Sequence, residues 1–233
     1  MRRAPAAAEL LSRSDHRVID SRLEVRAVPV GPFQANCFLV RSGDDVVVVD
    51  PGAEPDRITA LLDAWEAEPQ AIVLTHAHVD HVGGVAGLVR RYGIPVYVHA
   101  DDLPLYERAS EHGAMFGVPV ESPPQPDHWL EHGQNLAFGS IEFAVRHAPG
   151  HSPGGVVLVG DAEAFVGDCV FAGSIGRTDL PGGDTGTLLR SIREQILTLP
   201  PTTTLYSGHG PATTVETEAE SNPFVGRNAT GGW

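Results

Sequence analysis

The stretch AIVLTHAHVDHVGG, residues 71–84, constrains this chain more than any other. Four apolar residues, Ala71 to Leu74, lead straight into His76, His78, Asp80 and His81. A packed core gains nothing from such a run, because each buried polar group needs a partner or costs free energy. The pattern therefore implies a bound species. His76 and His78 are two apart, so on extended backbone both side chains leave on one side and can share an ion. Asp80 and His81 come where the chain turns into a helix, and can point to a second position.

Three other strand ends carry the same kinds of group. FAVRHAPG runs into His151, EAFVG into Asp168, and TLYSG into His209. Histidine and carboxylate are the ligands that Zn²⁺ and similar divalent metals prefer. Five histidines and two aspartates are too many for one tetrahedral ion. Two ions sharing a ligand fit better, as in hydrolytic sites with metals roughly 3.5–4 Å apart. Asp50 closes the strand DVVVVD, and its expected role is to hold the His76 loop, since metal ligands need outer hydrogen bonds to orient them.

Periodicity organises the rest. LEVRAVPV, NCFLVRS, DVVVVD, AIVLT and PVYVH read as strands, as do NLAFGS, IEFAVRH, GVVLVG, EAFVG and TLYSG. Ile58, Leu61, Leu62 and Trp65 form one helical stripe behind Pro55, and a second helix is expected from Val82 to Tyr92, ending at Gly93. Residues 101–133, with the proline cluster ESPPQPDHW, read as a surface loop. Asp184 is the expected N-cap of a third helix whose Leu188, Leu189, Ile192 and Ile196 face inward, and VETEAE is a short acidic helix. Two strand blocks, each trailed by helices, predict an α/β fold of two packed sheets with helices outside.

The formal charge of −14 includes 16 basic residues, all of them arginine, which excludes the dense cationic surface a nucleic-acid binder needs. No run approaches a membrane span. Cys37 and Cys169 suggest neither a disulfide framework nor a zinc ribbon, and both read as packing. The N-terminal MRRAPAAAELLSRSDHR has no sustained hydrophobic core, so the expectation is a cytoplasmic protein with an extension ahead of its first strand.

Taken together, VVVVDPG, THAHVDHVGG, APGHSPGG, VGDCVFAGSIGRTDLPGGD, SGHGP and ESNPF resemble the metallo-β-lactamase superfamily over about residues 23–225, and within it the short glyoxalase II-like hydrolases. The resemblance implies a four-layer αββα sandwich over 23–225, between an extension at 1–22 and a tail at 226–233. It puts His76, His78 and His151 on one metal, Asp80, His81 and His209 on the other, and Asp168 between them, with Asp80 and Asp168 as catalytic carboxylates. Two divalent ions, Zn²⁺ or else Fe or Mn, would serve a hydrolase acting on a small anionic thioester such as an S-acyl-glutathione. Arg177, in the loop where the family places a basic contact, would meet that substrate. The longer members hold glutathione with a C-terminal helical domain, for which this sequence leaves no room before Trp233, and carry a tyrosine where Pro211 stands. The same fold offers two alternatives: a mononuclear iron persulfide dioxygenase using the positions of His76, His151 and Asp168, and a lactone or other ester hydrolase.

Overall fold

The computed structural model describes residues 23–229. The extension expected over 1–22 and positions 230–233 of the expected tail lie outside the described residues. The first sheet takes β1 (Glu24–Val30), β2 (Ala35–Ser42), β3 (Asp45–Val49), β4 (Ala71–Val73), β5 (Val96–His99) and β6 (His128–Leu130) in that spatial order. Its first half is antiparallel, and β3 to β6 run parallel. Behind it lie β7 (Asn135–Phe138), β8 (Ile141–His147), β9 (Val156–Val159), β10 (Glu163–Gly167), β13 (Thr204–Ser207) and β14 (Thr213–Thr214), which form the second sheet in the order β14-β13-β10-β9-β8-β7. The short hairpin β11 (Val170–Phe171) and β12 (Ser174–Ile175) follows β10.

Side-chain alternation along the strands builds four layers. Val46 and Val48 of β3 pack with Ile58 and Leu62 of α1 (Pro55–Ala64) and with Val85 and Leu88 of α3 (Val85–Tyr92), outside the first sheet. Val47 and Val49 turn the other way and meet Phe143, Val145, Leu158 and Phe165 between the sheets. Phe38 reaches across this middle layer to Phe165, ring centroids 5.2 Å apart. On the far side, Val157, Ala164, Val166 and Leu205 pack beneath α6 (Thr185–Ser191) through Leu188 and Leu189, with Ile192 and Ile196 on the wider turn that follows. Each buried Val, Leu, Ile or Phe contributes about 1.5–3 kcal/mol. The molecule is thus the expected αββα sandwich. Asp184 caps α6 by accepting from the Thr187 amide, as expected.

Two expectations need correction. The helix predicted over 82–92 is two helices, α2 (Val79–Val82) and α3, separated at Gly83 and Gly84. Both glycines press on the Pro51–Ala53 turn, and a Cβ on Gly84 would come 2.7 Å from the Pro51 carbonyl oxygen. The stretch 101–133 is not a loop throughout. It holds α4 (Leu103–Glu107), α5 (Ala109–Met115) and the edge strand β6, because Tyr106, Ala109 and Leu130 are buried against the core. A final helix, α7 (Val215–Ser221), follows β14. Among the described residues no helix is long and apolar enough to cross a membrane.

Candidate metal centre

The C-terminal ends of β4, β10 and β13 and the loop after β8 converge on one point. Parallel pairing sets Val49 beside Val73, so Asp50, one residue past β3, stands next to Thr75, two residues past β4. Asp50 is fully buried and accepts from the Thr75 amide at 2.7 Å, the Thr75 hydroxyl at 2.5 Å and His81 Nδ1 at 3.0 Å. The expected hold on the His76 loop is present, and it extends to His81.

His76 and His78 leave the loop with ring centroids 4.9 Å apart, and His78 Nδ1 lies 2.8 Å from His151 Nε2. His151 Nδ1 donates to the Arg177 carbonyl at 2.8 Å, so in the neutral ring Nε2 carries the lone pair that faces this cluster. His76, His78 and His151 each offer a donor atom within 4.8 Å of the others. Asp80, His81 and His209 do the same, as do Asp50, His76 and His81. Asp168 stands between the groups: Oδ1 is 3.5 Å from His81 Nε2, while Oδ2 is 3.5 Å from His151 Nε2 and 3.6 Å from His209 Nε2. His209 Nε2 also lies 3.3 Å from Asp80 Oδ2.

The backbone is shaped to permit this crowding. Gly208, just before His209, has no room for a side chain, since a Cβ there would collide with Asp168 Oδ1 and come 2.7 Å from His81 Cε1. Asn36 on β2 holds the turn, its side-chain amide donating to the carbonyls of Ser207 and Gly210 at 2.9 Å each.

Charge follows from burial and neighbours. Burial, with the other histidines around it, holds His76 neutral well below its ordinary range. Burial and the adjacent His151 push His78 down to about 3. For His81 burial acts downward, but the carboxylates of Asp168 and Asp50 outweigh it and hold the ring well above its ordinary value. Burial would raise Asp80 and Asp168, yet the bond from His209 and the charge of His81, respectively, leave both carboxyls below the usual range. The site therefore pairs neutral imidazoles at His76 and His78 with ionised carboxylates around His81, whose Nε2 proton a divalent cation would displace, a donor set suited to such ions.

A model of the metallo-beta-lactamase superfamily matches residues 30–209. The chain belongs to that superfamily. It is 43% identical over 204 residues to the probable metallo-hydrolase YqgX of Bacillus subtilis, an alignment covering 86% of this chain and 96% of that protein. The hydroxyacylglutathione hydrolase GloC of Haemophilus influenzae is 35% identical over 208 residues, covering 87% and 98%. The crystal structure of TTHA1623 in a di-iron-bound form superposes with a TM-score of 0.81 at 47% identity, covering 86% of this chain and all of that one.

Within this metallo-beta-lactamase fold, metal ions suit the site on its own chemistry. Among the described residues five buried side-chain polar atoms have no hydrogen-bond partner, and three of them, His76 Nε2, His81 Nε2 and Asp168 Oδ1, belong to the cluster. Buried polar atoms are nearly always satisfied, so three orphans in one place mark where a ligand completes the structure.

The structure assigns Arg177 a contact that the sequence does not disclose. Its side chain is 59% exposed and forms a bidentate pair with Asp179 at 2.7 Å, and it meets the cluster through its backbone carbonyl on His151. Asp102 carries no motif signal, yet it is fully buried and accepts from the Ala77 amide at 2.9 Å, the Ser152 hydroxyl at 2.9 Å and the Gly154 amide at 2.6 Å. Ala77 sits between His76 and His78, and Ser152 follows His151, so one carboxylate ties the two loops together. Its position just past β5, next to β4 in the sheet, is the same strand-end logic that singles out Asp50. Cys169 is buried outside the second sheet with the residues beneath α6, and Cys37 outside the first with those beneath α1 and α3, both as expected, and burial pushes the Cys169 thiol up to about 12.

Proposed function

We propose that the chain is a binuclear metal-dependent hydrolase of small thioesters, of the hydroxyacylglutathione hydrolase type. The carrying observation is Asp168, whose two oxygens lie between His81, His151 and His209 at 3.5–3.6 Å while Oδ1 lacks any hydrogen-bond partner. In this reading His76, His78 and His151 hold one divalent ion, Zn²⁺, Fe or Mn, Asp80, His81 and His209 hold the second, and Asp168 serves both. Ions bound there supply Lewis acidity and lower the pKa of the water they bind toward about 7.

The chain's own residues do the rest. Asp50 keeps the His81 proton on Nδ1 and so turns Nε2 inward. The Arg177 carbonyl does the same for His151, and Asp102 fixes the spacing of the two histidine loops. Water, having given one proton to solvent, would add to the thioester carbonyl; the C–S bond breaks, its electron pair leaves with the thiolate, and the second proton is lost to solvent from the carboxylic acid product. A thiolate needs little help from a general acid, which suits a site whose carboxyls stay ionised. Arg177, once released from Asp179, would meet an anionic end of the substrate beside His151. The resemblance to GloC supports this class of substrate.

Metal analysis paired with two assays tests the reading. Metal-loaded protein should carry about two ions per chain and release free thiol from S-lactoylglutathione without consuming oxygen. Oxygen uptake with glutathione persulfide and no thioester cleavage would move the chain to the dioxygenases. Asp168→Ala should deplete both ions together, and retention of one full equivalent would count against the shared ligand.

A further inference from the structure

Beside the metal cluster the molecule exposes aromatic surface that its own packing does not require. Phe33, in the turn between β1 and β2, is 40% exposed, and Phe116, just past α5, is 55% exposed. The two rings meet edge to face with centroids 5.7 Å apart, although 83 residues separate them in sequence. Met115, next to Phe116, is 78% exposed. Below Phe33 lies a cavity of about 120 Å³ whose apolar wall includes Val79, Val118 and Val120. Apolar surface gathered at the mouth of a cavity marks a binding site more often than chance.

Two features say what would bind. Asp80 lines this cavity and also faces His209 in the metal cluster at 3.3 Å, so the cavity and the cluster share this residue. The charged residues of the lining, Glu54 and Asp80, are both acidic. The nearby Arg57 guanidinium is spent on Glu54 and the Pro29 carbonyl. The lining offers an anionic group no cationic side chain, whereas an apolar chain would lose its contact with water at little cost.

We infer that this groove holds the acyl chain of the substrate, and that the natural substrate is a thioester with an extended apolar acyl group and not a short polar one. The inference rests on the thioesterase reading. The cation the reading invokes, Arg177, adjoins His151, whereas the groove adjoins Asp80. The thiol carrier is therefore assigned to the Arg177 flank and the acyl chain to the Phe33–Phe116 flank.

Two series of small molecules test it with the metal-loaded chain. Uncleavable S-alkyl-N-acetylcysteamine thioethers, from methyl to hexyl, are titrated calorimetrically, and the S-acyl-N-acetylcysteamines from acetyl to hexanoyl are assayed for thiol release. Affinity for the thioethers should rise by roughly twofold to fourfold per methylene, as expected for a partly to fully buried CH₂. Phe116→Ala and Phe33→Ala should flatten that slope, and Phe116→Glu should flatten it further. Both side chains are exposed, so the fold is not at stake, and far-ultraviolet circular dichroism with metal content verifies this. A slope of zero in the wild-type chain, or one unchanged in all three variants, overturns the groove. The two readings fail separately. Thiol release with chain-length-independent affinity sinks the groove alone. A clear affinity slope with no thiol released from any thioester leaves the apolar groove standing and sinks the thioester as its occupant.

Discussion

Asp50 Oδ2 accepts from His81 Nδ1 at 3.0 Å, and both side chains are wholly buried. The bond decides which nitrogen of His81 keeps its proton when the ring gives one up to a metal ion, and so which one is left facing Asp168. Asp50 holds the Thr75 amide with its other oxygen, so the residue fixes the loop and the ring at once.

Asp50→Asn tests that coupling. An amide can turn its NH₂ toward His81 and favour the other tautomer, which points the proton at the metal position. Removing such an outer partner typically costs 10–100-fold in metal affinity. Chelator competition should therefore show one equivalent lost about that much more readily, with the other retained. Unchanged release of both ions would mean that His81 is oriented by packing alone.

Asp102→Ala should destabilise the chain by roughly 3 kcal/mol or more, because three buried donors lose their acceptor. Urea unfolding of the metal-free protein measures this. Asp102→Asn keeps one acceptor oxygen and should fold better, yet the ion assigned to His76, His78 and His151 should still bind more weakly. If the asparagine variant holds that ion with normal affinity, Asp102 serves the fold and not the site.

Arg177 and Asp179 make a paired test. A charge-assisted hydrogen bond to a substrate carboxylate contributes roughly 1.5–3 kcal/mol, or about ten- to a hundred-fold in binding. Arg177→Ala should raise KM for an anionic thioester by an amount of that order, with little change in kcat. Asp179→Asn frees the guanidinium and should lower the same KM. Equal losses on an anionic thioester and a neutral analogue would assign Arg177 to holding its loop.

His99 and His147 stack with centroids 4.1 Å apart and planes within 6°. Burial, then the charge of His147, lowers the His99 pKa, while Asp101, Asp102 and Glu131 act the other way. The unfolded chain then takes up this proton first, at about pH 6.5. The stabilising contribution is full above that value and is lost as the pH falls through the lower folded pKa. His147→Gln removes the repelling charge and should narrow that loss. Denaturation midpoints of both chains between pH 7 and pH 5 measure the difference. Identical pH slopes would show that the stack does not couple the two rings.

Much of this was legible in the chain before it was folded. The alternation in VVVV sends one pair of valines to each face of the first sheet, because successive strand side chains point to opposite faces, and that alone calls for layers on both sides. The crowding in HAHVDH, repeated at three further strand ends, implied a shared binding point because no core gains from it. These are local properties, set by a few neighbouring residues. The sequence was silent wherever the outcome depended on partners far along the chain. Residues 103–115 are helical because Tyr106 and Ala109 find a buried surface, which their own polar and proline-rich surroundings do not disclose. Asp102 matters through donors 25, 50 and 52 residues away, and the Phe33–Phe116 pair joins two turns from opposite sides of the metal-ligand motif. Spacing along the chain settles which residues share a strand face. Only closure of the two sheets determines which strand ends, and which carboxylates, meet.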